Sequence, residues 1–324
     1  MKADTLPRRR VEAVPSDPVQ KSEVQTADDL RARTCPVCLA TNFAPHFTTR
    51  GIPIESCESC GLLLQNPQPS DSDLAEIYGP HYFIGSDEDA ELAAQFEIVK
   101  RATARLQLEE LDAYLGKRGR AARGLRLLEI GCGHGNMLIE ARASGYEVNG
   151  IEFSADAAAI ANQKLGIEAV RVGSTSLAGF PDRSFDVCIL ADVIEHIRDP
   201  RAFLHDVWRM LDHHSTIFIA TPSVDSWSAR LLGRHWMEFK REHLFYFGMA
   251  TIERLLTETG FADVTLGGGK KVLTPAYIIG HFDKFPVAVL SPVLRMGRSL
   301  APSVLLQTKL KITASGIDVY ATKP

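Results

Sequence analysis

The segment Leu127-Leu128-Glu129-Ile130-Gly131-Cys132-Gly133-His134-Gly135-Asn136 runs an apolar stretch into three glycines at alternate positions, then into a helical pattern. Glycines here permit positive φ and let a ligand approach the backbone closely. Downstream the same rhythm repeats. Short apolar strands are predicted at 126–130, 147–151, 169–172, 185–190 and 216–220, with helices between them. Such alternation dictates right-handed crossovers and a parallel, doubly wound α/β sheet whose ligands gather at the carboxyl ends of the strands. A helix around 251–259 ends at Gly260, and 262–266 and 316–322 supply the last two of seven strands.

The acid before the glycines narrows the ligand. A carboxylate at the strand end repels a pyrophosphate but favours the ammonium of S-adenosylmethionine, so Glu129 argues against a dinucleotide. Some twenty residues later Glu152 ends the second strand, where an acceptor can receive both ribose hydroxyl protons.

Four of the six cysteines form two Cys-x-x-Cys pairs, Cys35/Cys38 and Cys57/Cys60, with eighteen residues between the pairs. Two residues between thiolates let a tight turn aim both sulfurs at one ion. Four thiolates close a tetrahedron with no open position, which predicts a structural zinc ribbon over 31–69. Cys132 and Cys188 read as small buried hydrophobes. The ribbon's loop carries Arg50 as its one permanently charged basic residue, and the whole chain balances 36 basic against 40 acidic side chains, a formal charge of -4. Neither supplies the field that would draw a polyanion, which argues against a nucleic-acid partner.

Before the ribbon, the run Arg8-Arg9-Arg10 is followed by Pro, Asp and Glu without an apolar core, so 1–30 reads as a disordered leader and the protein as cytoplasmic. No stretch reaches the ~18 uninterrupted apolar residues of a membrane span, which leaves only peripheral membrane contact. After the ribbon, 70–124 reads as a helical connector: a turn and cap at 66–73 leading into a short helix over 74–78, one long amphipathic helix over 90–115, and a basic, glycine-containing link at 117–124.

From Leu125 onward the chain resembles the class I S-adenosylmethionine-dependent methyltransferases. Beyond the glycine loop, Phe180-Pro181-Asp182-Arg183-Ser184-Phe185-Asp186-Val187 and Asp192-Val193-Ile194-Glu195-His196-Ile197-Arg198-Asp199-Pro200 look like that family's fourth strand and the segment after it. The resemblance implies a Rossmann-like seven-stranded sheet with an antiparallel last strand. It places Glu129, Gly131, Gly133, Gly135, Glu152, Phe153, Ser174 and Asp192 at the cofactor. The family's acid after the third strand is replaced here by Gly173-Ser174-Thr175-Ser176, leaving the adenine amino group to Ser174 or to water, with backbone groups supplying the rest. The N-terminal part is similar to a narrower subset in which a four-cysteine domain precedes the methyltransferase domain, with matching features in Cys57-Glu58-Ser59-Cys60-Gly61-Leu62, Pro67-Gln68-Pro69, Tyr78 and Tyr82. Such layouts occur in deoxysugar and secondary-metabolite methyltransferases.

An acceptor hydroxyl needs a base as its new bond forms, and histidine suits neutral pH. Glu242-His243 and Glu195-His196 are the two Glu-His pairs that the resemblance sets at the acceptor rim. His243 is the expected base with Glu242 beside it, His196 the second candidate, and a turnover step at pH ~6–7 the expected signature. Tyr78 and Tyr82 are expected to close over the acceptor. Between the last two strands, 268–315 reads as an apolar insertion, whether substrate lid, dimer surface, membrane-docking element or core helices. The expected function is methyl transfer to a small molecule, foremost an oxygen of a sugar, glycolipid or secondary metabolite. A quinone-like aromatic hydroxyl at the membrane surface, or RNA or protein gripped by the ribbon, are the alternatives.

Overall fold

The computed structural model describes residues 30–78, 90–176, 178–284 and 301–324, with positions 292, 294 and 296. All of the 1–30 leader except Leu30, and Tyr82, lie outside the described residues. Three short strands, β1 (Phe43–Thr49), β2 (Ile52–Cys57) and β3 (Leu63–Gln65), precede helix α1 (Asp71–Ile77) and the long α2 (Ala90–Gly116). The alternating region follows as β4 (Arg126–Ile130), α3 (Asn136–Ala143), β5 (Glu147–Glu152), α4 (Ala155–Leu165), β6 (Val170–Val172), β7 (Phe185–Ala191), α5 (Pro200–Met210) and β8 (Leu211–Pro222). The chain continues through α6 (Trp227–Leu232), β9 (Phe245–Tyr246), α7 (Met249–Glu258), β10 (Ala262–Leu273), α8 (Pro275–Lys284), a short α9 (Ser303–Leu306) and β11 (Leu310–Thr322).

Seven strands form one sheet in the order β10-β11-β8-β7-β4-β5-β6. The five from β8 to β6 are parallel, and β11 runs antiparallel to both β8 and β10. This is a Rossmann-like doubly wound sheet with an antiparallel last strand. Its central strands are apolar on both faces because helices cover both: Leu127, Leu128, Val187, Cys188, Ile189 and Leu190 are buried. The chain reverses direction beside β7 and β4, and the crevice above those two strands is where this topology binds ligands.

Capping chemistry fixes where the helices start. Ser70 and Asp73 form a reciprocal capping box, so α1 begins at Asp71, three residues before the predicted start. Asp199 caps α5 through its side chain, with Pro200 at the first helical position, where a missing N–H costs nothing. Glu140 of α3 is buried and gripped by Arg101 and Arg105 of α2, each through two nitrogens at 2.6–3.0 Å, which holds the long helix against the sheet domain.

The expected insertion changes in extent. The strands flanking the supposed insertion run on to Leu273 and back from Leu310, so 268–315 is in part a long β10–β11 hairpin, and only 274–309 lies outside it. Alternation of side chains along a hairpin exposed on one face mimics a mixed insertion. Trp227 is exposed and donates its indole N–H to the Thr313 carbonyl, whereas Trp236 is fully buried.

The cysteine-rich segment is not a module apart. β1, β2 and β3 form a small antiparallel sheet whose fourth strand is β9, contributed by the chain beyond β8. Cys35, Val37, Cys57, Leu62 and Leu64 share one continuous apolar core with Leu190, Ile219, Leu244, Phe245 and Phe247.

Candidate active site

At the end of β4, Gly131, Gly133 and Gly135 all take positive φ, 71°, 51° and 76°. A Cβ at Gly131 would meet Val193 Cγ2 at 2.7 Å, so the loop lies directly on the segment after β7 and only glycine fits. Glu129 beneath this loop is buried, and its Oε2 has no hydrogen-bond partner. Burial, and then the neighbouring Glu152, push its carboxyl well above the usual range. An orphaned buried acid at this point is what an ammonium group would satisfy, so the residues present fit S-adenosylmethionine. Glu152 ends β5 with its two oxygens accepting N–H bonds from Gly133 at 2.7 Å and Ser154 at 2.9 Å, which ties the glycine loop to the next turn. Phe153 beside it is 81% exposed, a bare aromatic face at the rim. Ser174 is exposed and lies 3.1 Å from the Ser176 hydroxyl.

Asp192, just past β7, sits in the left-handed region at φ 56° and meets Lys271 at 3.2 Å and Lys100 at 3.6 Å. Burial works against its charge, but Lys271 and Lys100 outweigh it and hold the carboxyl well below the ordinary range.

The 3-10 turn Ile194–His196 follows. Ring centroids of His196 and His243 are 4.7 Å apart at 82°, an edge-to-face pair. Nδ1 of His196 lies 3.0 Å from the Glu242 carbonyl and 2.9 Å from the Tyr78 hydroxyl. The structure therefore brings Tyr78, His196, Glu242 and His243 together, with Glu242 contributing its backbone oxygen. Burial pushes His196 down to about 4, and burial with the neighbouring His196 holds His243 well below its ordinary value. Both rings are therefore neutral at pH 7. His243 is 4% exposed, and its Nδ1 has no hydrogen-bond partner. One carboxylate oxygen of Glu195 and one ring nitrogen from each histidine lie within 4.8 Å of one another.

The methyltransferase domain family matches residues 98–266, just over half of the chain. The chain belongs to that family. Its enzyme class is that of an S-adenosylmethionine-dependent methyltransferase, and the fold above agrees with it. The methyltransferase is 38% identical over 125 residues to the ubiquinone biosynthesis O-methyltransferase of Parvibaculum lavamentivorans, covering 35% of this chain and 47% of that protein. To the enzyme of the same name in Rhodopseudomonas palustris it is 32% identical over 121 residues, 36% of this chain and 43% of that one. The chain thus spans about half the length of these curated relatives. Among solved structures, a possible histamine N-methyltransferase from Thermotoga maritima is similar at a TM-score of 0.48 and 17% identity, over 70% of this chain and 91% of that one.

In the methyltransferase the four cysteine sulfurs converge from the turn before β1, the end of β2 and the turn that follows it. Cys35 and Cys60 Sγ atoms are 3.6 Å apart, Cys38 and Cys57 3.5 Å, and all four lie within 4.8 Å of one another. Tetrahedral zinc at its usual bond length needs sulfurs about 3.8 Å apart, so the donor set fits that ion.

Three groups at the site carry little or no signal in the sequence. Lys271 sits on β10 inside what reads as an insertion, and nothing in its neighbours signals an ion pair with Asp192. Glu195 was visible only as the residue before a candidate histidine. Thr221, whose hydroxyl donates to Glu195 Oε2 at 2.9 Å, carries no motif at all.

Proposed function

We propose that this chain transfers a methyl group from S-adenosylmethionine to the hydroxyl of a small aromatic acceptor. The cofactor is held over the Gly131–Gly135 loop by Glu129, Glu152, Phe153, Ser174 and Asp192, and the acceptor lies between Tyr78 and the two histidines. The observation that carries this reading is the buried, neutral pair of His196, just after β7, and His243, just before β9, where a hydroxyl can lose its proton.

S-adenosylmethionine, when bound, supplies an electrophilic methyl group. The protein's part is to orient the acceptor and take one proton. A carbonyl oxygen only accepts, so the contact of Glu242 with His196 places hydrogen on Nδ1 and leaves the Nε2 lone pair facing the cluster. This arrangement favours His196 Nε2 as the proton acceptor, with His243 packed on its ring, and so reverses the expected order of the two. Their neutrality keeps the base available well below pH 6.

An aromatic acceptor replaces the sugar or glycolipid of the initial expectation. The relatives carry the name ubiquinone biosynthesis O-methyltransferase, Tyr78 offers an aromatic surface beside His196, and Phe96 and Tyr277 form a second aromatic pair with centroids 6.2 Å apart. The four cysteines hold a structural zinc in this reading, and the base-poor ribbon leaves RNA disfavoured. The test is transfer of labelled methyl to simple phenols and to sugars. An O-methylated phenol supports the reading, and a product confined to sugars removes it.

A further inference from the structure

Glu195 is 1% exposed, yet only one of its carboxyl oxygens is satisfied. Oε2 accepts the hydroxyl of Thr221 at 2.9 Å, itself buried, and the Glu195 carbonyl accepts the N–H of Leu244 at 2.8 Å. The residue is thus fixed at both ends, between β8 and the segment leading into β9. Oε1 has no partner and lies 4.0 Å from Nε2 of His196. Leaving a buried carboxyl oxygen unpaired costs about 1–3 kcal/mol, so such an atom points to something that binds there.

Four ångströms is too long for a direct hydrogen bond. It does suit a third atom: an oxygen about 2.8 Å from each would make a good bond to both. We propose that Glu195, held by Thr221, grips the acceptor's reacting hydroxyl together with His196 Nε2, and so acts as a second catalytic residue. This rests on the reading of His196 as the proton acceptor. The hydroxyl proton passes to Nε2, the O–CH3 bond forms as the methyl–sulfur bond breaks, and the Glu195 carboxyl donates a hydrogen bond to the oxygen throughout. That donor bond strengthens as negative charge builds on the oxygen, which is where a preorganised donor accelerates a reaction. Burial and the charge of Asp192 raise Glu195 to about 8, which keeps its proton in place at neutrality. Facing the carboxyl are Asp192 after β7, Lys271 on β10, and the two histidines.

Two measurements on the full-length, zinc-loaded protein test this. The first needs no turnover: phenol is titrated while the 15N resonances of His196 are followed. Phenol should move the Nε2 signal in the native protein and fail to do so in Glu195→Ala. No movement in the native protein, or equal movement in the variant, overturns the proposal. The second compares turnover of a phenolic acceptor. Glu195→Ala should lose about 100-fold in kcat at unchanged cofactor affinity, because one donor to the reacting oxygen is gone. Glu195→Gln, whose amide still donates, should recover most of that loss. Thr221→Val should raise KM and lower kcat more mildly. Loss of cofactor affinity in step with turnover, or no recovery in Glu195→Gln, marks a structural role and overturns the proposal. His196→Ala separates the two ideas. If it keeps its turnover, the base assignment fails; if it loses turnover while Glu195→Ala keeps it, the grip alone fails.

Discussion

Leu64 of β3 pairs with Phe245 of β9, two residues beyond His243. Through this pairing the sheet that carries the cysteines also carries one wall of the candidate acceptor site. Leu244 sits between them, its carbonyl accepting the N–H of Gln65 and its N–H donating to Glu195.

Metal removal should therefore act beyond the cysteines. An isolated ribbon would loosen on its own when its metal leaves, since binding energy is folding energy for the site. Here Cys57→Ser, or chelation, is expected to lower the melting temperature of the whole chain and to cut turnover, although Cys57 lies outside the acceptor site. Metal analysis with thermal unfolding and a labelled-methyl assay reads both effects. A metal-free protein with full turnover would contradict the coupling.

Glu152 should matter for the cofactor. Its oxygens are already positioned by Gly133 and Ser154 and each keeps a lone pair for a ribose hydroxyl. Glu152→Ala is expected to weaken S-adenosylmethionine binding by roughly 1.5–3 kcal/mol per bond to a charged acceptor, about tenfold or more. Calorimetry reads it directly, and unchanged affinity removes Glu152 from the site.

Gly131→Ala should be destabilising for two separable reasons. Left-handed backbone costs a residue with a Cβ about 1–2 kcal/mol, and the new atom would crowd Val193 Cγ2 at 2.7 Å, an overpacking cost of about 1–3 kcal/mol. Urea unfolding should show the sum, and Val193→Ala in the same chain should relieve only the second part. If the double variant is no better than the sum of the singles, the crowding argument is wrong.

Two buried groups pull the pH dependence of stability in opposite directions. His196 titrates at about 4 in the folded chain, against about 6.5 ordinarily, so in that window the unfolded chain binds the extra proton and stability falls as pH drops. Glu195 titrates at about 8, so from about 4.5 to 8 the folded chain holds the extra proton and stability falls as pH rises. Urea midpoints across pH should lose the acid-side slope in His196→Asn and the neutral-to-basic slope in Glu195→Gln. Turnover should show no step at pH 6–7, where an ordinary histidine base would place one, because the base stays unprotonated down to about 4. A midpoint near 6.5 would show that the ring is hydrated and free.

Strand positions were legible because a strand buried on both faces writes a continuous apolar run, as in Val187-Cys188-Ile189-Leu190, and because glycines mark the one turn a ligand needs, whereas the seven-stranded sheet with its antiparallel last strand was implied by the family resemblance. The two cysteine pairs were legible from spacing. What the sequence hid is long-range. Phe245-Tyr246 is too short to read as a strand, and its partners in β3, Leu64 and Leu63, lie far back in the chain, so the pairing that links the cysteine segment to the residues just after His243 left no local trace. The same holds for Thr221 and Glu195 and for Lys271 and Asp192, pairs set by how β8 and β10 lie beside β7. The pKa of a histidine is likewise a property of what covers it, which is why His196 and His243 read as ordinary bases in the sequence and stand as buried neutral rings in the fold.

Methyl transfer to an aromatic hydroxyl, with the proton taken at the His196–His243 pair, should fail when those rings are removed. The most direct measurement uses methyl-labelled S-adenosylmethionine with a phenolic acceptor, comparing the native chain, His196→Ala and His243→Ala, with cofactor affinity measured alongside. The native chain should give an O-methylated phenol, and His196→Ala should lose ~100-fold or more in turnover with cofactor affinity intact. Near-native turnover in both histidine variants, or label found only on sugar, nitrogen or carbon, would contradict it.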